Sequence, residues 1–194
     1  TLQQSECFRV SLSGGSTPKA IYELLSERDL PWDKIHWFWG DERNVPRDHP
    51  ESNARMVSEA LLKPVRAPES NVHRVPVQVD DPASAAEAYE QTLREHFPGQ
   101  SLPKWDLALL GMGDDAHTAS LVPGTKAIEE QQRWFVETWV EKFNAYRYTL
   151  TAPALNSAKE SWFLIAGAGK RAALKHVLSG EQQPRLYPAQ LIDA

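Results

Sequence analysis

The fold is decided by residues 107–121, which read LALLGMGDDAHTASL. The apolar run 107–110 is typical of a buried parallel strand, and the two glycines that follow allow the backbone to turn sharply. Open α/β sheets bind their ligands at the carboxyl ends of such strands. Asp115 and His117 are therefore the candidate catalytic pair, because a histidine beside a carboxylate can act as a general base.

Strand and helix patterns alternate along the rest of the chain. Apolar runs predict further strands at 8–12, 35–39, 72–75, 134–140, 148–150 and 162–166. Amphipathic stretches with start or stop signals predict helices at 18–25, 54–62, 82–97 and 172–178. This alternation favours an α/β fold with a mostly parallel sheet flanked by helices. No composition break marks a linker, so we expect residues 1–194 to form a single domain.

A glycine-rich turn, residues 13–18 (SGGSTP), joins the first predicted strand to the first predicted helix. Gly15, Ser16 and Thr17 can offer backbone N–H groups and hydroxyls to a phosphate at the positive end of that helix. The turn is neither a Walker loop nor a complete dinucleotide fingerprint. A turn in which serine and threonine only cap the helix remains the alternative.

Three cations stand near the ends of predicted strands. Arg43 follows the second strand, where it can bind a phosphate bidentately or pair with Asp41 or Glu42. Lys170 follows a Gly-Ala-Gly turn at the start of a helix, where the dipole disfavours a cation unless an anion also binds there. Arg147 precedes a strand and has no clear role by itself.

Composition narrows the classes of partner. The 194 residues carry a formal net charge of −5, which argues against a nucleic-acid-binding face. No apolar run approaches the length of a membrane span, and residues 1–4 do not begin a signal peptide. The one cysteine, Cys7, cannot form an internal disulfide, which fits a reducing compartment. We therefore expect a cytoplasmic protein without nucleic-acid or membrane partners.

The remaining histidines predict no metal site. His36 alternates within a strand and is interpreted as structural, and the others lack the spacing of metal ligands: His49, His73, His96 and His176. The chain also lacks the Gly-x-Ser-x-Gly turn of serine hydrolases.

Taken together, five blocks resemble the 6-phosphogluconolactonase family, occur in its order and span nearly the whole chain. They are residues 11–18 (SLSGGSTP), 40–43 (GDER) with 52–53, 111–121 (GMGDDAHTASL) with 123–124, 147–151 (RYTLT) and 167–170 (GAGK). The resemblance implies a Rossmann-like fold. It also implies hydrolysis of 6-phospho-D-glucono-1,5-lactone to 6-phosphogluconate, the second step of the oxidative pentose phosphate pathway, without a metal or organic cofactor.

Under this interpretation His117 deprotonates the attacking water and Asp115 orients the imidazole, while backbone N–H groups near Gly113 are candidates to hold the oxyanion. The residues expected to bind the substrate and its phosphate are Gly15, Ser16, Thr17, Arg43, Arg147 and Lys170. The expected partner is a small sugar-phosphate lactone, and the protein is expected to be a monomer or a small homo-oligomer.

The chain departs from the family pattern in a few places. Ala116 stands where glycine is usual, which makes a positive φ costly, and Val122 stands where phenylalanine is common. Family members also normally carry an additional N-terminal helical segment and a final strand. The chain is therefore expected to be short at both ends.

Two alternatives stay open. Glucosamine-6-phosphate deaminases and isomerases share the general fold, but that family characteristically has Asp-Glu-Tyr where this chain has residues 41–43 (DER). It also has His-Ile-Ala-Phe-Asn-Glu where this chain has residues 117–121 (HTASL). The second alternative is a non-catalytic sugar-phosphate-binding domain, which would bind 6-phosphogluconate without turning over the lactone.

Overall fold

Strands and helices alternate along the computed structural model, which describes residues 7–193. The strands are β1 (Phe8–Leu12), β2 (Ile35–Trp39), β3 (Asp41–Arg43), β4 (Val72–His73), β5 (Leu107–Leu110), β6 (Phe135–Val140), β7 (Ala145–Leu150) and β8 (Ser161–Phe163). The α-helices are α1 (Ser16–Ser26), α2 (Asn53–Val57), α3 (Pro82–His96), α4 (Ala152–Asn156) and α5 (Arg171–Ser179). Residues 1–4, on which the expectation about a signal peptide rests, lie outside the described residues.

The central sheet is parallel and has the strand order β4-β2-β1-β5-β8. In its middle, Val10 of β1 pairs with Trp37 on one side and with Leu107 on the other. Because the five strands run in one direction, their carboxyl ends meet at the same edge, where ligands of open α/β sheets bind. The mostly parallel sheet flanked by helices that the sequence predicts is confirmed.

A second, antiparallel sheet was not predicted. It has three strands in the order β3-β7-β6, and two of them, β6 and β7, come from apolar runs that the sequence predicts as strands without assigning them to a separate sheet. The third, β3, contains only Asp41, Glu42 and Arg43, and a polar run of three residues gives no strand signal. Arg43, which the sequence placed after the end of the second predicted strand, thus lies on a short strand of its own.

Several boundaries differ from the prediction. Helix α1 begins at Ser16 rather than Pro18, since a proline in the first turn has no N–H that needs a partner. The predicted helix 54–62 is present as α2 followed by one π-helical segment, Ser58–Leu62, and the Ser52 side chain caps it by accepting from the backbone of Arg55. Strand β8 ends at Phe163 instead of 166.

Two buried tyrosines fix helices to the sheet close to strand ends. The Tyr22 hydroxyl of α1 accepts from the backbone N–H of Ser13 and donates to its carbonyl, which fixes the glycine-rich turn. The Tyr89 hydroxyl of α3 accepts from the Trp39 backbone and donates to the His73 carbonyl. Burial raises the pKa of both phenols, so they remain neutral donors.

Within residues 7–193, no helix combines the length and apolar character that crossing a bilayer requires.

Candidate active site

A cavity of about 410 Å³ lies at the carboxyl ends of the central strands. Its volume falls within the roughly 300–1,000 Å³ typical of small-molecule sites. Seven of the eight residues that the sequence proposes for the site line it: Gly15, Ser16, Thr17, Arg43, His117, Arg147 and Lys170. Val122 also lines the wall. The eighth residue, Asp115, lies behind the imidazole instead of on the cavity surface.

The imidazole and the carboxylate form a direct pair. Nδ1 of His117 lies 2.5 Å from Oδ1 of Asp115, and the backbone N–H of His117 donates to the same oxygen at 3.2 Å. An ionised carboxylate can only accept, so the pair places the imidazole proton on Nδ1. The lone pair of a neutral His117 therefore sits on Nε2, as a general base requires.

Lys142 completes this group, and sequence reasoning missed it. Its Nζ donates to Oδ2 of Asp115 at 2.9 Å. The hydrogen bond from His117, followed by that from Lys142, holds the pKa of Asp115 well below its usual range. The aspartate thus stays ionised, and its negative charge can stabilise a positively charged imidazolium. Lys142 lies in the 3₁₀ turn Glu141–Phe143 between β6 and β7. It is 27 residues from Asp115 along the chain, so no local sequence pattern connects the two.

Gly113 makes the close approach of the pair possible. A Cβ atom at this position would lie 2.2 Å from Nδ1 of His117 and 2.5 Å from Oδ1 of Asp115. The Gly113 N–H donates to the His117 carbonyl at 2.8 Å, so it holds the turn closed. Because this N–H already has an acceptor, the backbone N–H groups expected to hold an oxyanion would be others near Gly113, and that expectation stays a prediction.

Ala116 adopts the conformation that its side chain disfavours. Its φ is +60°, in the left-handed region, and the residue is fully buried. That conformation costs an L-residue roughly 1–2 kcal/mol. The Ala189 backbone N–H donates to the Ala116 carbonyl, and the methyl group packs in a small cluster with Met112 and Ala173. Tertiary contacts thus hold the turn that brings His117 to the cavity, although glycine is absent.

The amino end of α1 forms a second wall of the cavity. Gly15 has a φ of +108°, a conformation that favours glycine, and no side chain caps the helix. The N–H groups of the first helical turn therefore lie beside the cavity without a side-chain acceptor in the described structure. Together with the helix dipole, they suit an anionic group.

Two arginines stand opposite each other on neighbouring strands. Arg43 of β3 pairs in register with Arg147 of β7. Burial and the charge of Arg43 lower the pKa of Arg147, whose guanidinium lies over the Phe143 ring with Cζ 4.7 Å from the centroid. Like charges directly across a sheet are destabilising unless an anion neutralises them.

The contacts of these cations leave them available for a ligand. Arg43 donates through Nη1 to the Glu51 carbonyl at 2.7 Å, while its buried Nε has no hydrogen-bond partner among residues 7–193. Lys170 ends the 3₁₀ turn Ala168–Lys170, just before α5. In the described part of the chain, Arg43, Arg147 and Lys170 form no ion pair with a carboxylate within 4.0 Å. Three such cations around one cavity indicate an anionic ligand.

Glu42 positions Arg43 from inside the protein. Its carboxylate is 2% exposed and accepts at 2.7–2.8 Å from the backbone N–H groups of Arg43, Asn53 and Ala54. It therefore caps α2 and holds β3 against it. Burial raises the pKa of this carboxyl even though the three N–H groups act in the opposite direction.

Replacing Glu42 with alanine is expected to destabilise the protein. Two buried backbone donors and one partly buried donor lose their acceptor, at roughly 1–3 kcal/mol for each buried group, so the free energy of unfolding should fall by about 3 kcal/mol. Urea denaturation measures this change. The matched control is Glu59→Ala, which removes an exposed (i, i+4) partner of Arg55 and should change the free energy by less than about 0.5 kcal/mol. Equal effects of the two variants would contradict the assigned role of Glu42.

A family model agrees with the whole chain. Residues 1–194 match the model described as glucosamine-6-phosphate isomerases/6-phosphogluconolactonase. The 6-phosphogluconolactonase of Nostoc sp. is 46% identical over 194 residues, which cover 98% of this chain and 80% of that protein. The 6-phosphogluconolactonase of Mycobacterium tuberculosis is 37% identical over 179 residues, covering 88% of this chain and 72% of that protein.

Solved structures agree with the fold. The crystal structure of 6-phosphogluconolactonase from Thermotoga maritima superposes with a TM-score of 0.86 at 34% identity, covering 100% of this chain and 84% of that one. The 6-phosphogluconolactonase from Trypanosoma cruzi gives a TM-score of 0.87 at 30% identity, covering 98% of this chain and 81% of that one.

Proposed function

Because the chain belongs to the glucosamine-6-phosphate isomerase/6-phosphogluconolactonase family, we propose that it hydrolyses 6-phospho-D-glucono-1,5-lactone to 6-phospho-D-gluconate. One observation carries the proposal: a carboxylate-paired imidazole lines the same cavity as three cations that have no carboxylate partner among residues 7–193. This combination suits a substrate with an electrophilic carbonyl at one end and a phosphate at the other.

The reaction begins at His117. Nε2 of the neutral imidazole accepts a proton from water as the water oxygen bonds to C1 of the lactone. The imidazolium that forms is stabilised by Asp115, which stays ionised because His117 and Lys142 both donate to it. The tetrahedral intermediate then collapses, the bond between C1 and the ring oxygen breaks, and the imidazolium returns the proton to that oxygen.

The other end of the cavity binds the phosphate. Arg43 and Arg147 can donate charge-assisted hydrogen bonds to its oxygens, and Lys170 adds a third positive charge. The N–H groups at the start of α1, from Ser16 and Thr17, complete the anion site. The binding energy gained at the phosphate positions the other end of the substrate, so that C1 lies beside His117.

The first test is lactone consumption by the purified protein. Freshly generated 6-phosphogluconolactone should disappear faster with the protein than in buffer alone, and acid should appear at the same rate. An identical rate in both samples, combined with tight binding of 6-phosphogluconate, would support a non-catalytic binding domain instead. Ammonia release from glucosamine 6-phosphate would support the deaminase alternative.

The cellular setting and the assembly are also proposals. We propose that the enzyme acts in the cytoplasm as a monomer or small homo-oligomer, on a small-molecule substrate and without nucleic acid or membrane partners. The net charge of −5 and the single cysteine support this setting.

A further inference from the structure

Three histidines meet away from the cavity. His36, His73 and His96 each bring one ring nitrogen within 4.8 Å of those of the other two, and we call them the histidine cluster. They come from β2, β4 and the last turn of α3. The spacing of these histidines along the chain predicts no metal site, because each of them lies on a different element and only the fold brings them together.

The backbone around the cluster is firmly held. His73 pairs in register with Phe38, which stands two residues after His36 and so presents its side chain on the same face of the sheet. The Phe38 ring packs on both His73 and His96. The Tyr89 hydroxyl fixes α3 to the His73 carbonyl, so the third element cannot shift freely against the other two.

The ring nitrogens are spaced like metal ligands. Nδ1 of His36 lies 3.1 Å from Nε2 of His73, and the donors of a tetrahedral ion with about 2.0 Å bonds lie about 3.3 Å apart. Nδ1 of His96 lies 2.8 Å from the Thr92 carbonyl. That carbonyl can only accept, so the proton of a neutral His96 is on Nδ1 and its lone pair is on Nε2. A backbone carbonyl that fixes the other nitrogen in this way is the usual support of a metal-binding histidine.

We propose that the histidine cluster binds a divalent transition-metal ion, with Zn²⁺ as the reference case, through one ring nitrogen of each histidine. Three histidines with a fourth position open to water form a known type of zinc site. On binding, the proton between His36 and His73 moves to the other nitrogen of the ring that carries it, so both rings direct a lone pair at the ion.

The ion would lie away from the chemistry of the cavity. None of the three histidines lines the cavity, and His36 precedes the carboxyl end of β2, at Trp39, by three residues, or about 10 Å at roughly 3.3 Å per residue. The ion would instead cross-link β2, β4 and α3. Because the unfolded chain does not hold the three rings together, binding stabilises the folded state. This inference does not depend on the proposed lactonase activity.

Zinc titration of the chelator-treated full chain tests the proposal. We expect one Zn²⁺ per chain by calorimetry and a rise in the midpoint of thermal unfolding when Zn²⁺ is added. His73→Gln and His96→Gln should each weaken binding by more than about 10-fold, since losing a ligand costs at least as much as losing its supporting partner. Both variants should also lose most of the zinc-dependent rise.

Two further variants locate the binding site. His176→Gln removes an exposed histidine that stacks on Tyr187, and His117→Ala removes the imidazole of the cavity. Both should retain the ion with unchanged affinity. The proposal is overturned if wild-type protein binds no Zn²⁺, if His117→Ala abolishes binding, or if His73→Gln and His96→Gln bind as wild type does. Circular dichroism of each variant without zinc verifies that it is folded.

Discussion

Replacing His117 with alanine is expected to lower kcat/KM for the lactone by roughly 10²–10⁴-fold, the usual contribution of a positioned general base. The variant keeps the cavity and the cations, so it should still bind 6-phosphogluconate. Asp115 also keeps its hydrogen bond from Lys142, which limits rearrangement of the turn. The loss should therefore appear in kcat, with a smaller change in KM.

The measurement needs two controls, because the lactone also hydrolyses spontaneously. The rate in buffer is subtracted at each substrate concentration, with lactone prepared immediately before use. His176→Ala serves as the matched variant, since this histidine is exposed and does not line the cavity. Wild-type turnover by a folded His117→Ala protein would remove the imidazole from the mechanism.

Replacing Arg147 with methionine is expected to raise KM for the phosphorylated lactone by roughly 10- to 150-fold. A hydrogen bond to a charged group is worth about 1.5–3 kcal/mol, which converts to this range. Arg43→Ala should act in the same direction, because the two guanidiniums face each other across β3 and β7. The free energy of unfolding should not fall through loss of the positive charge, because Arg147→Met removes one of two neighbouring cations that repel each other.

The contribution of Arg147 to phosphate binding is isolated by comparing the variant and the wild type on D-glucono-1,5-lactone, which lacks the phosphate. If Arg147 binds the phosphate, the variant and wild type should hydrolyse this compound with similar kcat/KM, so the preference for the phosphorylated lactone shrinks. The matched control is Arg171→Met, which removes an exposed cation that follows Lys170 but does not line the cavity. An unchanged KM in both Arg147→Met and Arg43→Ala would refute the assignment of the phosphate end.

The pairing of Asp115 with His117, which we propose as the catalytic pair, could be predicted from the sequence because its geometry is local. Asp115 and His117 are two residues apart, and the turn that joins them follows directly from a buried strand. The glycine at 113 leaves room that a Cβ atom would fill, which the residue type already suggests. The proposed anion site at the start of α1 is local for the same reason, since a strand, a glycine-rich turn and a helix follow one another in the chain.

Tertiary structure alone decided the contacts between distant segments. Arg43 and Arg147 face each other because β3 and β7 pair in a second sheet, and a short polar strand such as β3 has no hydrophobic period that would predict it. Lys142 reaches Asp115, and three histidines meet, only because separate elements pack together. The sequence by itself determined which strand ends carry reactive groups, since periodicity and turn residues act over a few positions. Strand pairing and packing determined which of those groups share one site, since they join residues whose separation along the chain carries no signal.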